Sequence, residues 1–154
     1  MQIPQIELPN INVIKESVDW LGKHGPIFLI FTGIFHFINQ MHRLIIFLLG
    51  IGVNVWFNIW IKPIIRDPRP NPIGVSIDNP QYWGMPSGHA QYVGYILTFL
   101  YFTKMPSFYF TVFYCLGMIT VWQRWYSMSH SFLQILVGLL VGITLGMLFV
   151  NIHF

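Results

Sequence analysis

Long apolar runs alternate with short polar connections along the chain, and this pattern constrains the fold more than any other feature. The apolar runs occupy residues 26–38, 43–61, 86–103, 107–122 and 130–150. An α-helix needs about 20 apolar residues to cross the hydrocarbon core of a bilayer. The pattern therefore predicts an all-α integral membrane bundle of about five transmembrane helices, although the first run is short for a complete span.

The composition excludes most other classes of protein. Of the 154 residues, 55% are hydrophobic and 8% are charged, whereas soluble domains carry about 25% charged residues. This balance argues against an ordinary soluble domain, a disordered chain and a nucleic-acid-binding protein. The lipid bilayer is therefore the expected environment, and the sequence leaves the oligomeric state open.

The amino-terminal part differs from the rest of the chain. Apolar residues recur at three- and four-residue spacing over residues 11–21, with charged residues between them. This spacing is typical of an amphipathic helix, which either lies on the membrane surface or packs on the loops. We interpret residues 1–25 as an extended arm followed by this helix, and residues 26–154 as the transmembrane domain.

The polar segments that could carry chemistry reach one membrane face. They fall at residues 62–70, 85–89 and 123–130. Because successive helices cross a membrane in opposite directions, the four longer runs place all three segments on the same side. With the amino terminus assigned to this side, the side carries six basic residues, and four of them belong to the three polar segments. The positive-inside rule therefore does not identify it as cytoplasmic or extracytoplasmic.

The residue types in these segments suit a phosphate group. Pro86 is predicted to open a helix, so that the amides of Ser87, Gly88 and His89 point out of its positive end. Lysine and arginine side chains add charge and donors that match phosphate oxygens. His89 and His130 remain for covalent and acid–base chemistry near neutral pH.

Two rows of polar and small residues strengthen this prediction. The rows, each with four-residue spacing, are Gly50, Asn54, Asn58 and Lys62, and His130, Gln134, Gly138, Gly142 and Gly146. Residues at this spacing share one side of a helix, and polar groups in hydrocarbon normally face the bundle interior. The rows therefore predict that Lys62 and His130 meet in one cavity.

Each feature also has a simpler explanation. A single interfacial basic residue commonly extends its charge to lipid headgroups, and Pro-Ser-Gly is commonly a turn. Asp67 and Asp78 lie among turn-forming neighbours and are interpreted as surface residues. Without a cluster of carboxylates or cysteines, we predict no metal site and no cofactor.

Order and spacing of the three segments resemble the type-2 phosphatidate phosphatase superfamily. Lysine, six residues and Arg-Pro (62–70) precede Pro-Ser-Gly-His (86–89), and Arg, five residues and His (124–130) follow. Two positions depart from the common pattern, Gln123 in place of serine and Gln134 in place of aspartate. The Gln134 position and the stretch at residues 84–91 resemble the dolichyl diphosphate phosphatase branch.

The resemblance implies a role for each matching residue. His130 would attack phosphorus and form a phosphohistidine, His89 would serve as acid and base, and Gln134 would orient His130. The residues that would hold the phosphate oxygens are Lys62, Arg69, Ser87, Gly88 and Arg124. Arg66 is not part of the motif and would contact either a second phosphate or lipid headgroups.

The resemblance also implies a function. It indicates a multi-pass membrane enzyme of the endoplasmic reticulum or a related membrane, hydrolysing polyisoprenyl diphosphates without a metal and acting on a lumenal or extracytoplasmic face. A phosphatase for phosphatidate or related lipid phosphates is the enzymatic alternative. An inactive structural or lipid-binding membrane protein is the alternative from another class.

Overall fold

Five α-helices build the part of the chain that the structure, a computed structural model, describes, residues 11–72 and 76–153. The helices are α1 (Ile11–Phe37), α2 (Met41–Ile65), α3 (Gly88–Phe102), α4 (Ser107–Tyr126) and α5 (Phe132–His153). A short 3₁₀ helix, Pro80–Tyr82, lies between α2 and α3. The all-α class is confirmed for these residues, whose one extended pairing is an isolated bridge between Pro68 and Trp83. The predicted arm at residues 1–10 lies outside them.

Helix α3 forms the centre of the bundle. Nine of its fifteen residues are buried, and it packs against each of the other four helices. Phe37 of α1 and Phe47 of α2 lie with their ring centroids 5.5 Å from that of Phe99. The hydroxyl of Tyr95 donates to the carbonyl of Phe47 at 2.9 Å. A helix buried on so many sides fixes the relative positions of its neighbours.

Two of the five predicted spans are identified as candidate membrane helices. Within the described residues, Met41–Ile65 and Phe132–Ile152 are long and apolar enough to cross a membrane. The fifteen residues of α3 extend about 22 Å, less than the roughly 30 Å of the hydrocarbon core. The helical bundle is therefore confirmed, whereas the prediction of about five complete spans is not.

Helix α1 is longer than the sequence pattern indicates. The predicted amphipathic helix and the first apolar run are one helix, which continues through Pro26. Proline removes one helical hydrogen bond, yet α1 continues and packs against α4. Gly22 and Gly25 allow Gln123 and Thr120 of α4 to approach closely. The division at residue 25 thus falls inside a helix, and the interfacial position of its first part stays a prediction.

The two rows of polar and small residues face α3, as predicted. On α2, Gly50 lies beside Tyr95, and Asn58 donates to Oε1 of Gln91 at 2.7 Å. On α5, a Cβ atom on Gly142 would overlap the carbonyl oxygen of Gln91 and lie 2.8 Å from the amide nitrogen of Tyr95. These contacts bring the carboxyl end of α2 and the amino ends of α3 and α5 together.

Candidate active site

Backbone hydrogen bonds draw the three polar segments together at one end of the bundle. The amide of Ser87 donates to the carbonyl of Gln134 at 3.0 Å, and that of His130 to the carbonyl of Arg124 at 3.1 Å. Within the α2–α3 connection, the amide of Gly84 donates to the carbonyl of Asp67 at 2.7 Å. The three segments therefore lie at one end of the bundle, and their position on one membrane face stays a prediction.

Three cationic side chains gather at this end. Lys62 lies in the last turn of α2, Arg124 in the last turn of α4, and Arg69 in the connection after α2. The charge of Arg69 acts on each of the other two, and Lys62 and Arg69 both act on His89 and His130. Because like charges repel, such a cluster favours a bound anion.

Two hydrogen-bond donors in the cluster are unpaired among the described residues. The Nε atom of Arg69 and the hydroxyl of Ser87 are buried and have no hydrogen-bond partner among the described residues. Buried polar atoms are nearly always paired, so unpaired ones need an explanation. The side-chain amide of Asn54 in α2 is unpaired as well, and it is the position of Arg69 and Ser87 beside the cations that makes them candidates for binding an anion. Burial lowers the pKa of Arg69, yet a guanidinium stays charged in proteins. Both donors suit phosphate oxygens.

The start of α3 differs from the prediction. Pro86 is not the first helical residue, because α3 begins at Gly88 and Ser87 is its N-cap. The amide of Ser87 is also occupied, since it binds the carbonyl of Gln134. The amides available to an anion are therefore those of Gly88 and His89, which lack acceptors within the helix. A Cβ atom on Gly88 would lie 3.3 Å from Asn58 Oδ1, so this glycine also makes room for α2.

The side-chain amide of Gln134 has one possible orientation. Its oxygen accepts from the backbone N–H of Ser131 at 3.1 Å, and its nitrogen donates to the carbonyl of Pro68 at 2.8 Å. A flipped amide would set donor against donor and acceptor against acceptor. The same nitrogen donates to Oδ2 of Asp67 at 2.6 Å. The surface interpretation of Asp67 is therefore wrong, because its carboxylate contacts a side chain that is 1% exposed.

This orientation fixes the proton on His130. Nδ1 of the buried ring lies 3.2 Å from Oε1 of Gln134. Since an amide oxygen only accepts, Nδ1 carries the proton and the lone pair is at Nε2. Burial, and then the charges of Arg69 and Lys62, lower the pKa of His130 to about 3. At neutral pH the ring is thus a neutral base with an available nitrogen.

His89 is held by the opposite ring nitrogen. Its Nε2 lies 3.1 Å from the carbonyl oxygen of Lys23 in α1. A carbonyl accepts, so Nε2 carries the proton and Nδ1 is the nitrogen that can take up another. The charge of Arg124 acts on this ring as well. His89 and His130 therefore belong to one electrostatic cluster, as the sequence predicts.

A contact from α1 reaches Arg124 through Gln123, and no sequence pattern predicts it. Nε and Nη2 of Arg124 both donate to Oε1 of Gln123, the former at 2.7 Å. The amide nitrogen of Gln123 lies 3.3 Å from Oδ1 of Asp19. No spacing rule relates residues 104 positions apart. The one available signal in the sequence was Asp19 itself, an acidic residue in a chain that has few charged residues.

Some polar residues and cavities lie apart from this cluster. Arg66 caps α2 in a left-handed conformation, is exposed, and donates from Nε to the carbonyl of Pro63. A groove of about 810 Å³ between α1 and α4 is lined almost entirely by apolar side chains such as Phe28 and Phe113. The described residues of its lining include no lysine or arginine, so it lacks the charges that phosphate chemistry needs. Within the described residues, no three His, Cys, Asp or Glu side chains form a metal-binding group.

Comparison with known proteins adds an independent finding. The model of the PAP2 superfamily matches residues 43–154. Dolichyldiphosphatase of Saccharomyces cerevisiae (strain ATCC 204508 / S288c) is 31% identical over 110 residues, which cover 63% of this chain and 46% of that protein. The chain thus spans about half the length of this curated relative, and no solved structure matches it. Since the family match covers more than half of the chain and all three polar segments, the chain belongs to the PAP2 superfamily.

Proposed function

We propose that this protein is a membrane lipid phosphatase that releases the terminal phosphate of a polyisoprenyl diphosphate and leaves the lipid monophosphate. One observation carries the proposal: three cations, two unpaired buried donors and two imidazoles share one end of the bundle. The similarity to a dolichyldiphosphatase supports the choice of substrate class. A multi-pass position in the endoplasmic reticulum or a related membrane is part of the same proposal.

The first chemical step uses His130 as the nucleophile. Nε2 attacks the terminal phosphorus and forms a phosphorus–nitrogen bond, while the bond from phosphorus to the bridging oxygen breaks. The electron pair of that bond stays on the departing lipid monophosphate. A bound anion offsets the neighbouring cations and so favours a protonated His89, which gives the Nδ1 proton to the leaving oxygen.

The second step restores the enzyme. A water molecule attacks phosphorus, His89 takes its proton, and the phosphorus–nitrogen bond breaks with its electron pair returning to His130. Lys62, Arg69 and Arg124 neutralise the transferring oxygens, and the Ser87 hydroxyl and the Gly88 amide donate to them. Because these donors are already in place, little reorganisation is needed as charge develops.

The proposal is tested by phosphate release from the purified protein in detergent. Polyisoprenyl diphosphate and phosphatidate are compared as substrates, and we expect a higher kcat/KM for the diphosphate. The His130→Ala substitution removes the nucleophile and should lower kcat at least about a thousandfold. His42→Ala, which changes an exposed histidine at the other end of α2, is the matched control.

Trapping separates the covalent mechanism from simple hydrolysis. Rapid alkaline quenching and mass spectrometry should locate a phosphoryl group on His130 in the wild type and none in His130→Ala. Activity should survive a chelator. Unchanged turnover in His130→Ala would exclude the covalent step, loss on chelation would contradict metal independence, and an inactive wild type would favour a structural role.

A further inference from the structure

We infer that Asp67 is a positioning residue that supplies the negative charge behind His130, acting through the amide of Gln134. The three side chains form a continuous relay, His130–Gln134–Asp67, joined by hydrogen bonds of 3.2 and 2.6 Å. This inference rests on the proposed phosphatase function and assigns a role to a residue outside the matching motif positions. It also explains how a neutral glutamine can occupy the place next to the nucleophile.

The relay has a fixed polarity. Each polar atom of the Gln134 amide has two partners, and each set includes one backbone group, the N–H of Ser131 or the carbonyl of Pro68. Because those backbone groups cannot exchange donor and acceptor roles, the amide oxygen always faces His130 and the nitrogen always faces Asp67. A carboxylate that accepts a hydrogen bond from the amide nitrogen polarises the amide group, and this increases the negative charge on the amide oxygen.

The negative charge on the Gln134 oxygen has its largest effect when Nε2 of His130 is bonded to phosphorus. The ring of His130 is neutral in the free protein, and it becomes cationic once Nε2 bonds to phosphorus while Nδ1 keeps its proton. The amide oxygen stabilises this cation, and the full charge of Asp67 adds to it through the relay. A neutral amide alone would stabilise the cationic ring less than a carboxylate in direct contact.

The surrounding backbone keeps Asp67 in position. Its own carbonyl accepts from the amide of Gly84, and the adjacent Pro68 carbonyl binds the same Gln134 nitrogen. A Cβ atom on Gly84 would overlap the Gln134 amide, so glycine is the residue that fits here. The connection after α2 is thus shaped around the relay.

A charge-removing substitution tests the inference. Asp67→Asn keeps an oxygen that can accept from Gln134 but removes the charge. We expect kcat to fall about 10- to 100-fold, the range seen when an outer partner of a functional ligand is lost, with KM changed less than threefold. Asp78→Asn removes an exposed carboxylate of the same connection and is the matched control, with wild-type kcat.

A double variant that moves the negative charge from position 67 to position 134 distinguishes a positioning role of Asp67 from a structural one. In Asp67→Asn combined with Gln134→Glu, a carboxylate contacts Nδ1–H of His130 directly. The asparagine can donate to the other carboxylate oxygen, but that oxygen also faces the Pro68 carbonyl, which limits the recovery. We expect this double variant to recover part of the kcat lost in Asp67→Asn. Gln134→Glu alone sets two carboxylates against each other and should not. Loss of activity in Asp67→Asn with a lowered unfolding temperature and no recovery in the double variant would overturn the inference.

A measurement independent of turnover completes the test. NMR of ¹⁵N-labelled histidine, with His130→Ala for assignment, should show the Nδ1–H form of His130 in the wild type. In Asp67→Asn the Nδ1 proton should move upfield as its hydrogen bond weakens, and in Asp78→Asn it should not. Identical spectra and kcat for the two aspartate variants would overturn the relay. A wild type that hydrolyses no lipid phosphate would overturn the phosphatase proposal, and the spectra would still decide the relay.

Discussion

His89 and His130 are held through opposite ring nitrogens. Gln134 anchors His130 at Nδ1, and the carbonyl of Lys23 anchors His89 at Nε2. In the mechanism that we propose, one ring therefore offers Nε2 as the nucleophile, while the other offers Nδ1 for a proton. This division follows from one amide oxygen and one carbonyl, each of which can only accept.

The proton-donor role that we propose for His89 predicts a dependence on the leaving group. A lipid monophosphate has a second pKa of about 6, whereas the pKa of an alcohol is far higher and close to that of water. The alcohol therefore needs a proton far more. In His89→Ala, kcat/KM for phosphatidate should fall about 10³- to 10⁴-fold, and for the diphosphate about tenfold to a hundredfold.

The measurement compares phosphate release from both lipids, with Asp78→Asn as control. The ratio kcat/KM reports only the steps up to phosphoryl transfer. Hydrolysis of the proposed phosphohistidine, which is the same for both lipids, therefore does not affect the comparison. An equal loss with both lipids would show that His89 does not protonate the leaving group.

At the scale of the helices, the close contact between α3 and α5 determines the geometry of the site. Gly138, Gly142 and Gly146 place the α5 backbone against that of α3. The sequence predicted that the glycine row faces a neighbouring helix, because four-residue spacing is a local property of one helix, but it did not identify α3 as that neighbour. It did not predict the start of α3, because the Ser87 amide binds the carbonyl of Gln134, a residue that folding brings near.

A pair of glycine substitutions tests this packing. Gly142→Ala places a methyl group against the α3 backbone, which cannot move aside as a side chain could. We expect the free energy of unfolding to fall by about 1–3 kcal/mol, the usual effect of overpacking. Gly52→Ala, also in a helix but with nothing within 4 Å of the added atom, should be neutral or slightly stabilising. Unfolding in mixed micelles measures both, and equal effects would contradict the contact.

The whole molecule brings together residues that no local pattern connects. The rows, the cations and both histidines were predictable from spacing and residue type. The roles of Asp67 and Gln123 were not, because each contact depends on how connections and helices far apart in the chain are packed. The close approach of α1 to α4 at Gly22 and Gly25 likewise joins parts of the chain about 100 residues apart.

The topology predicts which loops share a membrane face. Ser76 and Ser127 lie at the end of the bundle that carries the cations, and Ser107 lies at the opposite end, at the start of α4; all three are exposed. In a Cys115→Ala background, single cysteines at positions 76 and 127 should react with an impermeant maleimide from one side of sealed vesicles. A cysteine at position 107 should react from the other side. Labelling of all three from one side would contradict the arrangement.

The carbonyl of Lys23 belongs to a helix that lies outside the region matching the family, yet it holds a ring of the candidate active site. A change in the tilt of α1 would shift His89, the proposed proton donor, without changing any residue in the matching region. We therefore expect a tag or fusion at the amino terminus to change turnover as well as expression, and turnover is the property to check after adding one.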